Sequence, residues 1–312
     1  MRLAVVLVTL FLSLASAARA DEITRLVVFG DSLSDPGNHF IAFGTSARQP
    51  YEPVPEASYA VGGHHFSNGA TWAERLAADL GAPTSGGPAL SVPGLFTNYA
   101  VGRARARAGA PAFPDHDLRT QIGQFLTDFR GQAPSGDLYV VWIGANDVSD
   151  ALSALAIDPS GATSLAILNA AITATADGIL ELWTAGARTF IVPNVPNLAI
   201  TPVIRELDPS IQTAAAQLSA AYNGALEQAL SALQTLPGIT LTRLDVHGLF
   251  AQVLANPAEV GLTNVTDPCL TFGVGSRAVC ATPQQYLFWD GIHPTATGHA
   301  VISEAALLAV KP

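Results

Sequence analysis

Charge is scarce in this chain, and basic charge scarcer still. Of its 312 residues 13% are charged, with 15 Lys and Arg against 25 Asp and Glu, for a net charge of −10. There is no long basic run, so neither nucleic acid nor an anionic lipid surface is an expected partner. Cysteine is reduced to two residues, which excludes a disulfide-scaffold miniprotein and a four-cysteine zinc module. Beyond the first twenty residues no segment reaches the ~18–20 apolar residues that a spanning helix needs. Residues 165–182 come nearest, but Asn169, Thr173, Thr175, Asp177 and Glu181 interrupt them. A Gly-x-Ser-x-Gly elbow is missing, which argues against that serine-hydrolase fold. A Gly-x-Gly-x-x-Gly dinucleotide fingerprint is missing after the first strand-like run. His64 and His65, with His39 nearby, lack the His-x-x-x-His spacing of a metal site and read as a solvated or pocket-rim loop; no metal is expected. What is abundant is apolar surface, 49% of the residues. That excludes disorder and suffices for a core without metal or disulfide support.

The N-terminus reads as an address. Arg2 supplies a positive start, Leu3 to Leu14 is apolar apart from Thr9 and Ser13, and Ala18-Arg19-Ala20 forms a small-x-small cleavage pattern. This predicts a signal peptide over residues 1–20, with 21–312 as one mature domain, secreted or periplasmic. An uncleaved anchor is the alternative. Export suits the cysteines: in an oxidising compartment Cys269 and Cys280 are expected to pair.

Along the mature chain, apolar runs alternate with helical patterns. Strands are expected at 24–29, 96–101, 137–143, 189–195 and 239–245. Helices are expected at 71–80, 118–129, 162–184, 211–236 and 296–310, the first capped by Ser67-Asn68-Gly69. Near-continuous apolar strands separated by helices imply an α/β protein, a three-layer α/β/α sandwich around a mainly parallel sheet. In such sheets the working residues sit at the carboxyl ends of the strands.

Four pieces of chemistry fall there. Gly30-Asp31-Ser32-Leu33-Ser34 presents a serine hydroxyl at a tight turn. Asp290-Gly291-Ile292-His293-Pro294 offers a base for that serine and a carboxylate to orient the base. Gly144-Ala145-Asn146-Asp147 offers an amide donor for a developing oxyanion. Asn98-Tyr99-Ala100-Val101-Gly102 carries a glycine that lets backbone approach a ligand closely. Each piece alone has a plain turn explanation; their joint occurrence in this order is far less expected by chance.

These blocks resemble those of the GDSL, or SGNH, hydrolase family. Phe29 to Asp35 continues into Pro36-Gly37-Asn38 as its first block, and the other three follow in order across nearly the whole mature chain. Ser67-Asn68-Gly69 resembles the secreted esterase branch, and the chain is similar to the catalytic part of bacterial autotransporter esterases, whose translocating barrel is not expected in a chain ending at Pro312. The resemblance implies Ser32 as nucleophile, His293 as base and Asp290 as its orienting partner. It implies an oxyanion hole made by the backbone N–H groups of Ser32 and Gly102 with the Asn146 side chain, and no cofactor. Arg103 departs from the pattern, standing where a small residue is common.

The expected activity is hydrolysis of carboxylic esters of short to medium chain. A lysophospholipase or acyltransferase is the alternative on the same triad; a silent ester- or glycan-binding protein is the non-enzyme alternative. Aromatics from the 39–66 segment, Phe40 among them, and Phe288 and Trp289 beside Asp290, are expected to wall the pocket. Such a wall would suit apolar groups or a choline ester through cation–π attraction. Arg103, Arg105 and Arg107 alternate with alanine and read as a solvated face, with an anion or headgroup contact as the alternative. A monomer is favoured, with oligomeric state left open.

Overall fold

The computed structural model describes residues 23–43, 65–109, 116–274 and 277–311. Residues 1–22, where the signal peptide was expected, and residues 44–64, including Tyr51, Tyr59 and His64, lie outside the described residues. In chain order the first elements are β1 (Leu26–Gly30), α1 (Asn38–Phe43), α2 (Trp72–Asp79) and α3 (Leu118–Asp128). Then come β2 (Leu138–Trp142), α4 (Ala145–Ala154), α5 (Ala162–Thr184), β3 (Thr189–Pro193), α6 (Pro202–Arg205) and α7 (Pro209–Leu233). The chain finishes through β4 (Thr240–Leu244), α8 (Val246–Ala255), β5 (Asn264–Pro268), β6 (Tyr286–Phe288) and α9 (Ala296–Val310).

The central sheet is parallel in the order β1-β2-β3-β4. Residues 97–101 extend it beyond β1: Val28 donates to Thr97 O, and Tyr99 and Val101 donate to the carbonyls of Val28 and Gly30. Strand β1 is buried along its whole length, as is β2, because both faces are covered. The pleat sends alternate side chains to opposite layers. Val27, Phe29, Tyr139 and Val141 join Ile122, Phe125, Ile179, Leu182 and Tyr222 from α3, α5 and α7. Leu26, Val28, Val140 and Trp142 join Trp72, Leu76, Phe250 and Ile302 from α2, α8 and α9. The fold is therefore the expected sandwich, α/β with a parallel central sheet. Contrary to the sequence reading, helix α5 is by length and mean hydropathy apolar enough to cross a membrane in spite of its polar interruptions; here its Leu168, Ala171, Ile179 and Leu182 are packed in the core.

Two local readings change. The cap of α2 is Thr71, in a capping box with Glu74. Ser67-Asn68-Gly69 instead reaches across the molecule: Ser67 Oγ donates to Pro294 O at 2.9 Å, and Asn68 Oδ1 accepts from the Ala296 N–H at 2.7 Å. It thus ties the start of α9 in place. Helix α4 begins directly after β2, where a loop was expected. Gly144 makes the corner at φ +122°, and a Cβ there would fall 2.2 Å from Tyr222 Oη. Only glycine fits both the dihedral and the space.

Cys269 and Cys280 form a disulfide with a sequence separation of 11. In the chain-entropy treatment a loop of that size contributes about 2–3 kcal/mol. A C269S/C280S double variant should unfold in urea with a stability lower by about that amount, without loss of the parallel-sheet circular dichroism signal.

Candidate active site

The nucleophile turn is built by close packing at Gly30 and by the carboxylate of Asp35. A Cβ on Gly30 would lie 2.5 Å from Trp142 O, so β1 and β2 can approach only with glycine there. Gln121 of α3 clasps the same residue, accepting from its N–H at 2.9 Å and donating to its carbonyl at 2.8 Å. Beyond the turn, Asp35 accepts the N–H groups of Gly37, Asn38 and His39 at 2.7, 2.6 and 3.0 Å. It also accepts from the Gly102 N–H at 2.6 Å. Asn38 donates to the carbonyls of Asn98 and Ala100, and Asn98 donates to Ser34 O. The turn and the 98–102 loop are one hydrogen-bonded body.

Ser32, His293 and Asp290 meet at the carboxyl end of β1. Ser32 Oγ lies 2.8 Å from His293 Nε2 across 261 residues of sequence, and His293 Nδ1 lies 2.8 Å from Asp290 Oδ2. The other Asp290 oxygen accepts the N–H groups of Ile292 and His293, so the carboxylate is fixed by its own turn. A carboxylate on Nδ1 keeps the proton there and leaves Nε2 to accept from the serine hydroxyl. The three residues are 9%, 3% and 2% exposed. The His293 turn is held from behind: Trp289 N–H donates to His293 O at 2.7 Å, and Leu270 N–H to Trp289 O at 2.6 Å.

Asn146 is in the first turn of α4 and faces the same cavity of about 290 Å³ as Ser32 and His293. One hydrogen of its side-chain amide goes to Ala104 O at 3.0 Å, which leaves the other available. The Ser32 N–H has no acceptor among the described residues. Gly102 is placed differently from expectation: its N–H is committed to Asp35. What requires glycine there is Phe66, whose Cζ would lie 2.2 Å from an added Cβ. Phe66 in turn packs its ring 5.1 Å from that of His293. Like Arg105, Arg103 lines the cavity, and its φ is +67°. A non-glycine residue in that region costs about 1–3 kcal/mol, and Arg105 Nη1 holds its carbonyl at 2.6 Å.

The arginines do not form a solvated face. Arg105 donates through Nε and Nη2 to both oxygens of Asp150, at 3.0 and 2.8 Å. Arg107 pairs with Asp150 at 2.6 Å and with Asp147. Asp147 also accepts the Ala106 N–H at 2.8 Å. The 103–107 loop is thereby clamped to α4, the helix that carries Asn146. The sequence reading missed this clamp, and Gln121 and Asp35 with it. Gln121 did leave a signal: it stands on the apolar stripe of Leu118, Ile122 and Phe125, where a polar residue needs a partner.

The expected aromatic wall is absent from the described cavity lining. Phe288 and Trp289 are 1% and 0% exposed, in core clusters with Leu287 and with Cys269 and Leu270. They brace the Asp290 turn from inside because β6 runs straight into it. Phe40 is half-buried on α1 and does not line the cavity. A quaternary ammonium therefore finds no cation–π partner among the described wall residues. Of the histidines, His65 faces Glu74 at 3.0 Å, and His299 accepts the Trp72 N–H at 3.3 Å. Burial lowers His299 to about 3, so it is neutral.

Residues 26–306 match the family model for GDSL-like Lipase/Acylhydrolase, and the chain belongs to that family. It is 26% identical to the thermolabile hemolysin of Vibrio parahaemolyticus over 94% of this chain and 65% of the relative. It is 25% identical to Lipase 1 of Photorhabdus luminescens, over 95% of this chain and 51% of the relative. GDSL esterase/lipase 5 of Arabidopsis thaliana is 26% identical over 92% of this chain and 84% of the relative. The chain thus spans about half to two thirds of the length of the two bacterial relatives. Among solved structures, a catalytic mutant of an acetylxylan esterase from Geobacillus stearothermophilus aligns with a TM-score of 0.48 at 17% identity, covering 92% of this chain and 94% of that one.

Asp31 lies beside Ser32 on the cavity wall, and burial lifts its carboxyl from 3.8 to about 7. Between those values the folded protein keeps a proton that the unfolded chain has lost, so Asp31 lowers stability as pH rises through this window. Asp31→Asn preserves the acceptor for the Leu33 N–H, now 3.0 Å away. In urea unfolding the variant should match wild type near pH 4 and exceed it near pH 8, by on the order of 3 kcal/mol.

Proposed function

We propose that the protein is a secreted carboxylic-ester hydrolase that works through an acyl-serine on neutral esters of short to medium acyl chain. The observation that carries this reading is the unbroken chain Ser32–His293–Asp290, two contacts of 2.8 Å, opening into a cavity that Asn146 also lines. Ser32 Oγ attacks the ester carbonyl carbon while its proton passes to His293 Nε2. The negative charge on the carbonyl oxygen is met by the Ser32 N–H and the Asn146 amide. His293 then gives the proton to the departing alkoxide, and the C–O bond to the alcohol breaks. Water, deprotonated by His293, attacks the acyl-serine and releases the acid. Asp290 keeps the imidazole oriented and stabilises its charged form.

The leader pattern and the disulfide support export. The aliphatic part of the cavity wall, with Leu33, Ala145, Leu198 and Ile204, suits a short apolar acyl group, while Arg103 and Arg105 make another part of it polar. The Ser32–His293 contact speaks against a silent binding protein. Choline esters rank below uncharged ones, for want of aromatic rings in the described wall.

Purified protein should hydrolyse a panel of nitrophenyl esters and be labelled by a fluorophosphonate, and Ser32→Ala should do neither. Asn146→Ala should lower kcat by about a hundredfold or more. A folded wild type that neither turns over nor labels would falsify the reading. Acyl transfer to an added alcohol in preference to water would mark an acyltransferase.

The arginine clamp has its own test. Asp150→Asn leaves Arg105 without its carboxylate and Arg107 with Asp147 alone, and loosens the loop against α4. We expect kcat to fall about tenfold with KM little changed. An unchanged kcat would separate the clamp from Asn146 positioning.

A further inference from the structure

Next to the Ser32 cavity is a second hollow, about 450 Å³, that the proposed reaction leaves without a role. Its walls are the start of α6, Pro268 at the end of β5 with residues 270–272 beyond it, and the turn at 290–292. Pro202, Leu270 and Phe272 give it an apolar lining, and Val203 and Ile292 line both hollows. Those two side chains are 42% and 50% exposed, aliphatic surface at the mouth of the site. The shared wall is stiff. Val203 N–H donates to Gly291 O at 3.0 Å, and a Cβ on Gly291 would come within 3.3 Å of Val203 Cβ. The Cys269–Cys280 bridge closes the loop that carries Leu270 and Phe272. A groove made of such parts needs little ordering when a ligand enters it.

We infer that this groove takes an apolar alkyl arm on the alcohol side of the ester, the part that leaves on acylation. The inference rests on the ester-hydrolase reading above. His293 Nε2 must return its proton to the leaving oxygen, so that oxygen lies against the imidazole. The groove opens at Ile292, the residue before His293. The carbonyl oxygen is drawn to the Ser32 N–H and Asn146, and the acyl chain is left the part of the Ser32 cavity that the groove does not share, lined by Leu33 and Ala145. Glu206 at the groove's edge disfavours an arm that ends in a carboxylate. The groove is thus a selector for the leaving group, separate from the surface that holds the acyl chain.

The test is a series of n-alkyl butanoates from propyl to octyl. Their leaving groups have nearly equal basicity and all form the same butanoyl-enzyme, so differences in kcat/KM report binding of the arm. A methylene fully removed from water is worth about fourfold; we expect a rise of about two- to fourfold per methylene until the groove is filled. Propyl esters of lengthening acids should rise less. Thr271 is exposed on the groove wall, with its N–H bonded to Ala278 O. Thr271→Trp should place an indole in the groove and flatten the alcohol series relative to the acyl series. An alcohol series no steeper than the acyl series in wild type overturns the inference. A second measurement does not need turnover: Ser32→Ala should bind octyl butanoate at least tenfold more tightly than propyl butanoate by calorimetry, and equal affinities overturn the inference. If wild type hydrolyses nothing while Ser32→Ala keeps that preference, the hydrolase reading fails and the alkyl site stands.

Discussion

The carboxylate of Asp35 is the point on which the site turns. It gathers four backbone N–H groups, three from its own turn and one from Gly102. Those donors come from segments more than sixty residues apart, and a single buried anion forces them into register. Burial pushes the Asp35 carboxyl up to about 6, while the four N–H groups favour the charged form. Near neutral pH it is thus ionised and able to hold both loops. Asn38 and Asn98 extend the same link through side-chain amides. Because Ser32 and the 98–102 loop move as one body, a serine at a strand end becomes a serine in a defined direction.

The rest of the site hangs from that body in two pieces. One is the 290–293 turn, whose Asp290 is fixed by local N–H groups and whose back is braced by Phe288 and Trp289. These aromatics serve by filling the core beneath the turn. The other is α4, which carries Asn146 and is clamped to the 103–107 loop by Asp147 and Asp150. Charge is sparse in this protein, and much of what is partly buried is concentrated here. Each arginine of the clamp has a carboxylate, so the desolvation cost of one charge is offset by its neighbour. The positive φ of Arg103 is held inside this network, where packing over-determines the backbone.

Much of the architecture was legible because it depends on short-range pattern. The apolar runs of β1 and β2 could only be strands buried on both faces, and 162–184 and 296–310 carried helical spacing over several turns. The four chemical blocks stood at strand ends because parallel sheets put loops there. Helix α4 was missed because its capping signal is a glycine at φ +122°, a property of backbone geometry that the residue name allows but does not require. Gly102 was assigned to the oxyanion because a glycine beside a site suggests close approach. It does mark one, but the approaching group is Phe66.

By itself, then, the sequence determined the sandwich, its longest strands and helices, and the residue types able to do serine chemistry. These follow from periodicity and from the intrinsic acid–base properties of side chains. Only the tertiary structure decided which groups touch. Ser32 and His293 are 261 residues apart, and no local rule relates them. The direction of Asn146, the commitment of the Gly102 N–H to Asp35, the pairing of Arg105 and Arg107, and the groove beside Ile292 arise from packing between distant segments. Hydrogen bonds and buried charges are selective at the scale of tenths of an ångström, and that precision exists only once the core has set the distances.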